Sequence, residues 1–341
     1  MRAAIHSPYL DTLGGGERYV LSVARALLNN GYSVDLEFKD KNIVEKIEAK
    51  FGFDLPGINV VPDIQRGSGY DLCFWLSDGS VPTLLARKNI VHFQRPFFGV
   101  DGKSLISRMK FFRINKVVVN SEFTKSFVDR EYPVESTVLY PPVDVAIFRP
   151  GKKENLILYV GRFSQLEQSK RQDVLLRAFK KFFDSGNKGW RLVLAGGSEV
   201  GRTGFVDRLK ENAKTYPIKI IENPRLSELK SLYASAKIFW SASGYGVDDK
   251  KEPNKVEHFG IAPVEAMSAG AVPILFDAGG HREIVEDGKN GFLWNTTEDL
   301  IKKTQKIVDG EKLMRELALG AKAGSQKYSY ERFEKEFLDL L

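Results

Sequence analysis

The chain of 341 residues has one cysteine, so it holds no internal disulfide and no paired-cysteine metal site. Cys73 sits inside the apolar run YDLCFW and reads as a buried thiol. Histidine is scarce too: His6, His92, His258 and His281 are scattered, none at metal-ligand spacing from another. No Asp-x-Asp occurs, and the one Asp-Asp pair, Asp248-Asp249, lies in the charged loop GVDDKKEPNK. The expectation is a chemistry with no cofactor and no required metal. Apolar runs are short, as in Ala271 to Phe276, against the roughly 20 residues that a membrane-spanning helix needs. Met1 to Tyr9 looks like a strand and not like an export signal, so a cytoplasmic location is expected. The sequence also lacks short-period repeats and low-complexity tracts.

With 43% hydrophobic and 28% charged residues, the composition is that of a globular protein long enough for two cores. Its positive charge is concentrated. Between Ala86 and Lys125 stand nine Lys and Arg against Asp101 and Glu122, a surplus equal to the net +7 of the whole chain. A block of that kind suits an anionic membrane surface, nucleic acid, or solubility alone. Nucleic acid is set aside, because the segment carries no recognisable motif for it.

Strand and helix signals alternate from end to end, which argues for parallel sheets covered on both faces. The first strand, from Arg2 to His6, runs through a loop ending Gly14-Gly15-Gly16-Glu17 into a helix with apolar Tyr19, Val20, Val23 and Leu27. Glycines between a strand and a helix let backbone N–H groups approach a phosphate, which makes Gly15 and Gly16 candidates for an anion. Proline and glycine crowd the stretch from Tyr140-Pro141-Pro142 to Pro150-Gly151 and mark an interdomain linker. The pattern then restarts with an apolar strand from Leu156 to Val160. The expected domains are 1–150 and 151–325, with 326–341 as a terminal helix.

Charged and conformationally special residues sit closest together from Glu257 to Gly291. Glu257 and Glu265 flank the turn His258-Phe259-Gly260, and Pro263 reads as the first helical residue. Free N–H groups at such a helix start, with the positive end of its dipole, receive a phosphate. Phe259, Gly260, Ile261 and Ala262 would supply that cradle. A carboxylate on either side can accept hydrogen bonds from hydroxyls, so a nucleotide sugar fits. A first-turn Glu also satisfies helix-capping preference by itself.

The E-H-F-G-I-x-x-x-E stretch, followed by an apolar strand and Gly279-Gly280, resembles family 4 of the retaining glycosyltransferases. Gly-Gly-x-Glu after the first strand and the YPPVD segment resemble it as well. The resemblance implies the GT-B fold, in which two Rossmann-like domains with parallel sheets face each other across a cleft, the first for the acceptor and the second for the donor. It also implies that the terminal helix crosses back to the first domain, that Glu257 meets the donor sugar, and that Glu265 meets the ribose. Arg162 and Lys170 are similar to the family's G-R-…-K pair, although the interval FSQLEQS between them is longer than usual and Arg171 is a substitute for Lys170. His92, in IVHFQRP, resembles a family histidine near the donor sugar; a structural role suits it equally well. HFGI with YPPVD is most similar to the mannosyltransferase branch that acts on lipid-linked or polysaccharide acceptors, which favours GDP-mannose and leaves UDP-glucose and UDP-N-acetylglucosamine open.

On this reading Glu257, His92, Arg162 and Lys170 are the catalytic candidates for a retaining, metal-independent transfer to a glycan or lipid-linked acceptor. Cations beside the departing diphosphate contribute most to such a step. A hydrolase with two carboxylates is the competing reading, and the phosphate-binding turn between Glu257 and Glu265 argues against it. A nucleotide-sugar epimerase of the same fold and a non-catalytic membrane-binding protein are the alternatives. The segment GKSLISRMKFFR, from Gly102 to Arg113, places Leu105, Ile106, Met109 and Phe112 on one side of a helix. It reads either as core packing with a solvated basic face or as a surface helix on an anionic membrane. In the second case Arg108, Lys110, Phe111 and Arg113 would meet the membrane or acceptor, and the protein would be peripheral on the cytoplasmic face.

Overall fold

Short runs of Val, Ile, Leu and Phe, bounded by Gly, Pro, Asn and Asp, become the strands of two sheets in the computed structural model, which describes residues 1–12, 14–52, 54–164, 168–198 and 204–341. The first sheet holds β1 (Arg2–His6), β2 (Ser33–Glu37), β3 (Asn59–Val61), β4 (Leu72–Ser77), β5 (Lys88–Phe93), β6 (Lys116–Val119) and β7 (Thr137–Val138). Their order is β3-β2-β1-β4-β5-β6-β7, with every pairing parallel. The second holds β8 (Glu154–Val160), β9 (Arg191–Gly196), β10 (Ile218–Glu222), β11 (Ala236–Ser241), β12 (Val272–Phe276) and β13 (Phe292–Trp294), ordered β10-β9-β8-β11-β12-β13 and again parallel. Sheets covered on both faces need strands that are apolar throughout, not alternating. In β12 all five residues of VPILF are buried.

The chain divides into two compact units, Met1–Pro142 with Tyr330–Leu341, and Val143–Ser329. The division at Pro142 comes earlier than 150 because the linker residues already belong to the second unit. The Val143 N–H donates to the Tyr328 carbonyl at 2.7 Å, Val143 forms a parallel bridge with Ser329, and Phe148 packs edge-on against Tyr233. In the first unit the helix Gly15–Asn29 buries Tyr19, Val20, Val23 and Leu27. The terminal helix Tyr330–Asp339 adds Phe333 and Phe337 to the same core. Phe333 meets Tyr19 edge-on at 5.3 Å and Phe337 meets Phe74 at 6.0 Å. Losing one such buried ring costs roughly 3–5 kcal/mol, so the terminal helix is a working part of the first unit.

Candidate active site

The turn at Glu257 is shaped by close backbone contact. Gly280 donates its N–H to the Glu257 carbonyl at 2.8 Å. A Cβ at Gly279 would stand 2.2 Å from that carbonyl oxygen, and one at Gly280 would stand 2.4 Å from the His258 oxygen. Only glycine fits at these two places, which accounts for the pair in the sequence. Asp249 ties down the same corner, because its Oδ2 accepts from Gly279 N–H at 3.1 Å and from Arg282 Nη1 at 2.6 Å. Arg282 reaches Asp277 with its Nε at 2.6 Å.

Gly260 then leads into the helix Ile261–Ser268 at φ +116°, where an L side chain would be strained. The helix therefore begins at Ile261, two residues before Pro263. Proline is tolerated at the third position for the same reason as at the first: no intrahelical acceptor exists there for an N–H. Ile261 and Ala262 are half-buried, whereas Phe259 is buried and lies edge-on to Tyr328 at 5.1 Å. Phe259 thus braces the turn from below.

Glu257 is held by Lys170, whose Nζ donates to its Oε2 at 2.7 Å. Lys170 also donates to Gln168 Oε1 at 2.9 Å, and Gln168 Nε2 donates to the Val256 carbonyl at 2.6 Å, closing a short ring of bonds around the carboxylate. Burial alone would push the Glu257 carboxyl up. Lys170, with His281 and His258 around it, brings it down to about 2. The group is therefore an anion at every working pH, able to accept hydrogen bonds and unable to donate a proton. His281 is fully buried, donates from Nδ1 to the Phe276 carbonyl at 2.8 Å, and is lowered by burial first.

Arg162 is exposed, and its carbonyl accepts from Gln172 Nε2 at 2.8 Å. The buried Tyr159 hydroxyl senses both charges: burial raises it most, Glu257 raises it further and Arg162 lowers it. Lys170 and Glu257 are thus in direct contact, and the Tyr159 ring lies within the field of both Glu257 and Arg162. Residues 165–167 of the interval between Arg162 and Lys170 lie outside the described residues. Arg171 does not replace Lys170, being turned to Asp173 at 3.2 Å and to the Tyr245 carbonyl at 2.7 Å. Glu265 is buried, and its Oε2 accepts from the Tyr233 hydroxyl at 2.8 Å.

His92 belongs to the core of the first unit. Its ring is fully buried and stacks on Tyr19 at 4.0 Å; Nδ1 is 3.1 Å from the Val118 carbonyl and Nε2 is 2.6 Å from the Gln94 amide. Burial holds it down at about 4, so it is neutral near pH 7. The apolar neighbours that made IVHF a strand also cover the ring, an arrangement that suits the structural role of the two readings. At the glycine loop, Glu17 Oε2 accepts from Gly14 N–H at 2.7 Å and from Thr12 Oγ1 at 3.0 Å. A carboxylate thus caps this helix start, which begins with Gly15 and Gly16. Arg113 donates from Nε to the Leu84 carbonyl at 2.8 Å, and Phe111 packs edge-on against Tyr132 at 5.9 Å. Those two hold the segment 102–113 to the unit, while Arg108 is exposed and Lys110 half-buried.

Residues 144–323 match the family described as glycosyl transferases group 1, which is more than half of the chain. The chain belongs to the group 1 glycosyl transferases. The turn at Glu257, the helix after it and the Lys170 pair all fall inside the matched span. This transferase is 31% identical over 214 residues to a probable sucrose-phosphate synthase of Thermosipho melanesiensis, covering 60% of the chain and 46% of that protein. To the alpha-1,3/1,6-mannosyltransferase ALG2 of Dictyostelium discoideum it is 25% identical over 260 residues, covering 64% and 59%. The chain thus spans about half the length of these curated relatives. Among solved structures, Anabaena Alr3699/HepE in complex with UDP and glucose superposes with a TM-score of 0.78 at 17% identity, over 99% of this chain and 98% of that one. Sucrose-phosphate synthase from Thermosynechococcus elongatus gives 0.75 at 16% identity, over 100% and 98%. The fold is GT-B, with two Rossmann-like units.

Sequence reasoning gave no role in the site to four residues: Gln168, Tyr233, Asp249 and His281. Gln168 stands two residues before Lys170 and meets it directly. The others meet their partners through the fold.

Proposed function

We propose that this transferase moves a hexose, mannose before glucose or N-acetylglucosamine, from a nucleotide-diphosphate donor to a glycan or lipid-linked acceptor, with retention and without a required metal. The observation that carries the reading is the Lys170–Glu257 pair beside the helix start at Ile261. Departure of the diphosphate develops negative charge, which Lys170, Arg162 and the helix N–H groups would stabilise. Glu257, ionised down to about 2, would accept hydrogen bonds from the sugar hydroxyls. It cannot be the raised-pKa acid that a two-carboxylate hydrolase needs, and this weighs against hydrolysis. The leaving phosphate would take the proton of the acceptor. The engagement of Asp249 by Arg282 and Gly279 takes up one acidic candidate for a cation and so supports the metal-free reading.

Mannose is favoured by relatives such as the ALG2 protein above and a human GDP-Man:Man(3)GlcNAc(2)-PP-Dol alpha-1,2-mannosyltransferase, 27% identical over 253 residues. The place of work would be the cytoplasm or the cytoplasmic face of a membrane; no described helix is long and apolar enough to cross one. Turnover of GDP-mannose, UDP-glucose and UDP-N-acetylglucosamine, with and without excess EDTA, tests the proposal. GDP-mannose should be consumed fastest, EDTA should leave the rate standing, and the transferred sugar should keep its anomeric configuration. Release of a free isomer of the nucleotide sugar would make the protein an epimerase. Loss of turnover on chelation, restored by Mg²⁺ or Mn²⁺, would remove the metal-free mechanism.

A further inference from the structure

The helix Leu105–Phe111 buries none of its residues. Leu105, Ile106, Met109 and the following Phe112 are 80%, 68%, 70% and 90% exposed, and Phe98 and Val100 in the loop before it are 46% and 42% exposed. An apolar patch of this extent is unusual on a monomer and marks a surface that meets something. The loop is held firmly: Glu131 accepts hydrogen bonds from the N–H groups of Gly99, Val100 and Gly102 at 3.0, 3.0 and 3.4 Å. Ser104 caps the helix through Ser107 N–H, and Phe111 fastens its back to Tyr132. At about 100° per residue the exposed four share an arc of about 120°, with Arg108 and Lys110 about 100° to either side of its centre and Phe111 behind. The helix is thus mounted with its apolar face outward between two cations.

We infer that this face, together with Phe98 and Val100, lies in the headgroup region of an anionic lipid surface. The inference rests on the transferase reading above and names the partner on which a lipid-linked acceptor would be met. Charge selects the occupant. The segment from Gly102 to Arg113 has four cations and no acidic residue, so an anionic bilayer complements it both in the apolar face and at the rims. A second copy of the chain in a two-fold contact would bring the same cations against each other. Position fits as well, because β5 and β1 run parallel to the same edge of the first sheet. The Phe98 loop leaves β5 at that edge, and the Gly14 loop follows β1 there.

Sedimentation of the full chain with phosphatidylcholine vesicles, and with the same vesicles carrying phosphatidylglycerol, tests the inference. Binding should be at least about tenfold stronger on the anionic vesicles. Ile106→Asp with Met109→Asp should abolish it. Lys103→Ser, Arg108→Ser and Lys110→Ser together should weaken anionic binding by at least about tenfold, and Arg113 is left in place because it holds the Leu84 carbonyl. Equal binding to both vesicles, unchanged binding in either variant, or a lipid-free dimer that Ile106→Asp breaks would overturn it. Donor turnover without acceptor, measured on the same proteins, should not change between them. Wild-type protein that binds anionic vesicles yet turns over no nucleotide sugar would sink the transferase reading and leave the lipid contact standing.

Discussion

His92 in the first unit is fully buried and Glu257 in the second is half-buried, and the two end in opposite charge states. Around His92 stand Tyr19, Phe74 and two uncharged hydrogen-bond partners, so burial wins and the ring is neutral. Around Glu257 burial is the largest single effect as well, but Lys170 at 2.7 Å and the two histidines reverse it. A buried group keeps its charge only where a fixed countercharge repays the loss of water. That separates a neutral buried histidine from an ionised carboxylate better than residue type does.

Removing the countercharge breaks the comparison most severely. Lys170→Met should leave Glu257 as a half-buried anion without its main countercharge, cost roughly 2–3 kcal/mol in urea unfolding, and abolish most transfer. A loss below about 1 kcal/mol would show the pair to be no better than a surface ion pair. Glu257→Gln keeps the shape and removes the charge. It should lower turnover about 100-fold or more with the circular dichroism spectrum unchanged, and wild-type turnover would make Glu257 merely structural.

Acid separates the two groups by pH window. The Glu257 carboxyl titrates near 4.5 when unfolded and about 2 when folded. Its contribution is thus complete above about 4.5 and is lost as the pH falls toward 2, a change of about 3 kcal/mol followed through Trp240 and Trp294 in the second unit. His92 acts earlier, from its ordinary 6.5 down to about 4, because there the unfolded chain binds a proton that the folded one refuses. Stability should fall across that range by about 2–3 kcal/mol, and the slope should vanish in His92→Phe. A slope unchanged by that substitution would assign the loss to other groups. The smallest effect concerns Glu265. Tyr233→Phe removes one donor to its carboxylate and should cost about 1–2 kcal/mol while leaving nucleotide affinity alone. Glu265→Ala should weaken binding of the free nucleotide in calorimetry by about tenfold; unchanged affinity would make it a partner of Tyr233 only.

The sheets were legible in the sequence because burial on both faces writes itself as continuous apolar runs: Arg2–His6 was bounded to the residue, and the strand read from Leu156 to Val160 begins two residues earlier, at Glu154. The site was legible in part. Glycines at 279 and 280 and the EHFG turn stand out locally, but the contact between them is made across twenty residues of chain. Asp249 stood out only as half of an acidic pair, since what it does depends on Gly279 and Arg282 arriving beside it. His92 was left with two readings for the opposite reason: a strand-end histidine looks alike whether its face meets solvent or another layer. For Leu105 to Phe112 periodicity gave the apolar face correctly and could not say whether anything covered it, which is a property of the fold.

The path of the chain also bears on how the protein is made. Because Val143–Ser329 is continuous while the first unit needs both Met1–Pro142 and Tyr330–Leu341, the order of emergence from a ribosome reverses the usual one, in which the N-terminal domain finishes first. The second unit can close on itself while the first still waits for Phe333 and Phe337. Until Tyr330–Leu341 has been made, those earlier residues stand with an unfilled apolar surface between Tyr19 and Phe74, a target for chaperones whose exposure lasts as long as the second unit takes to be synthesised.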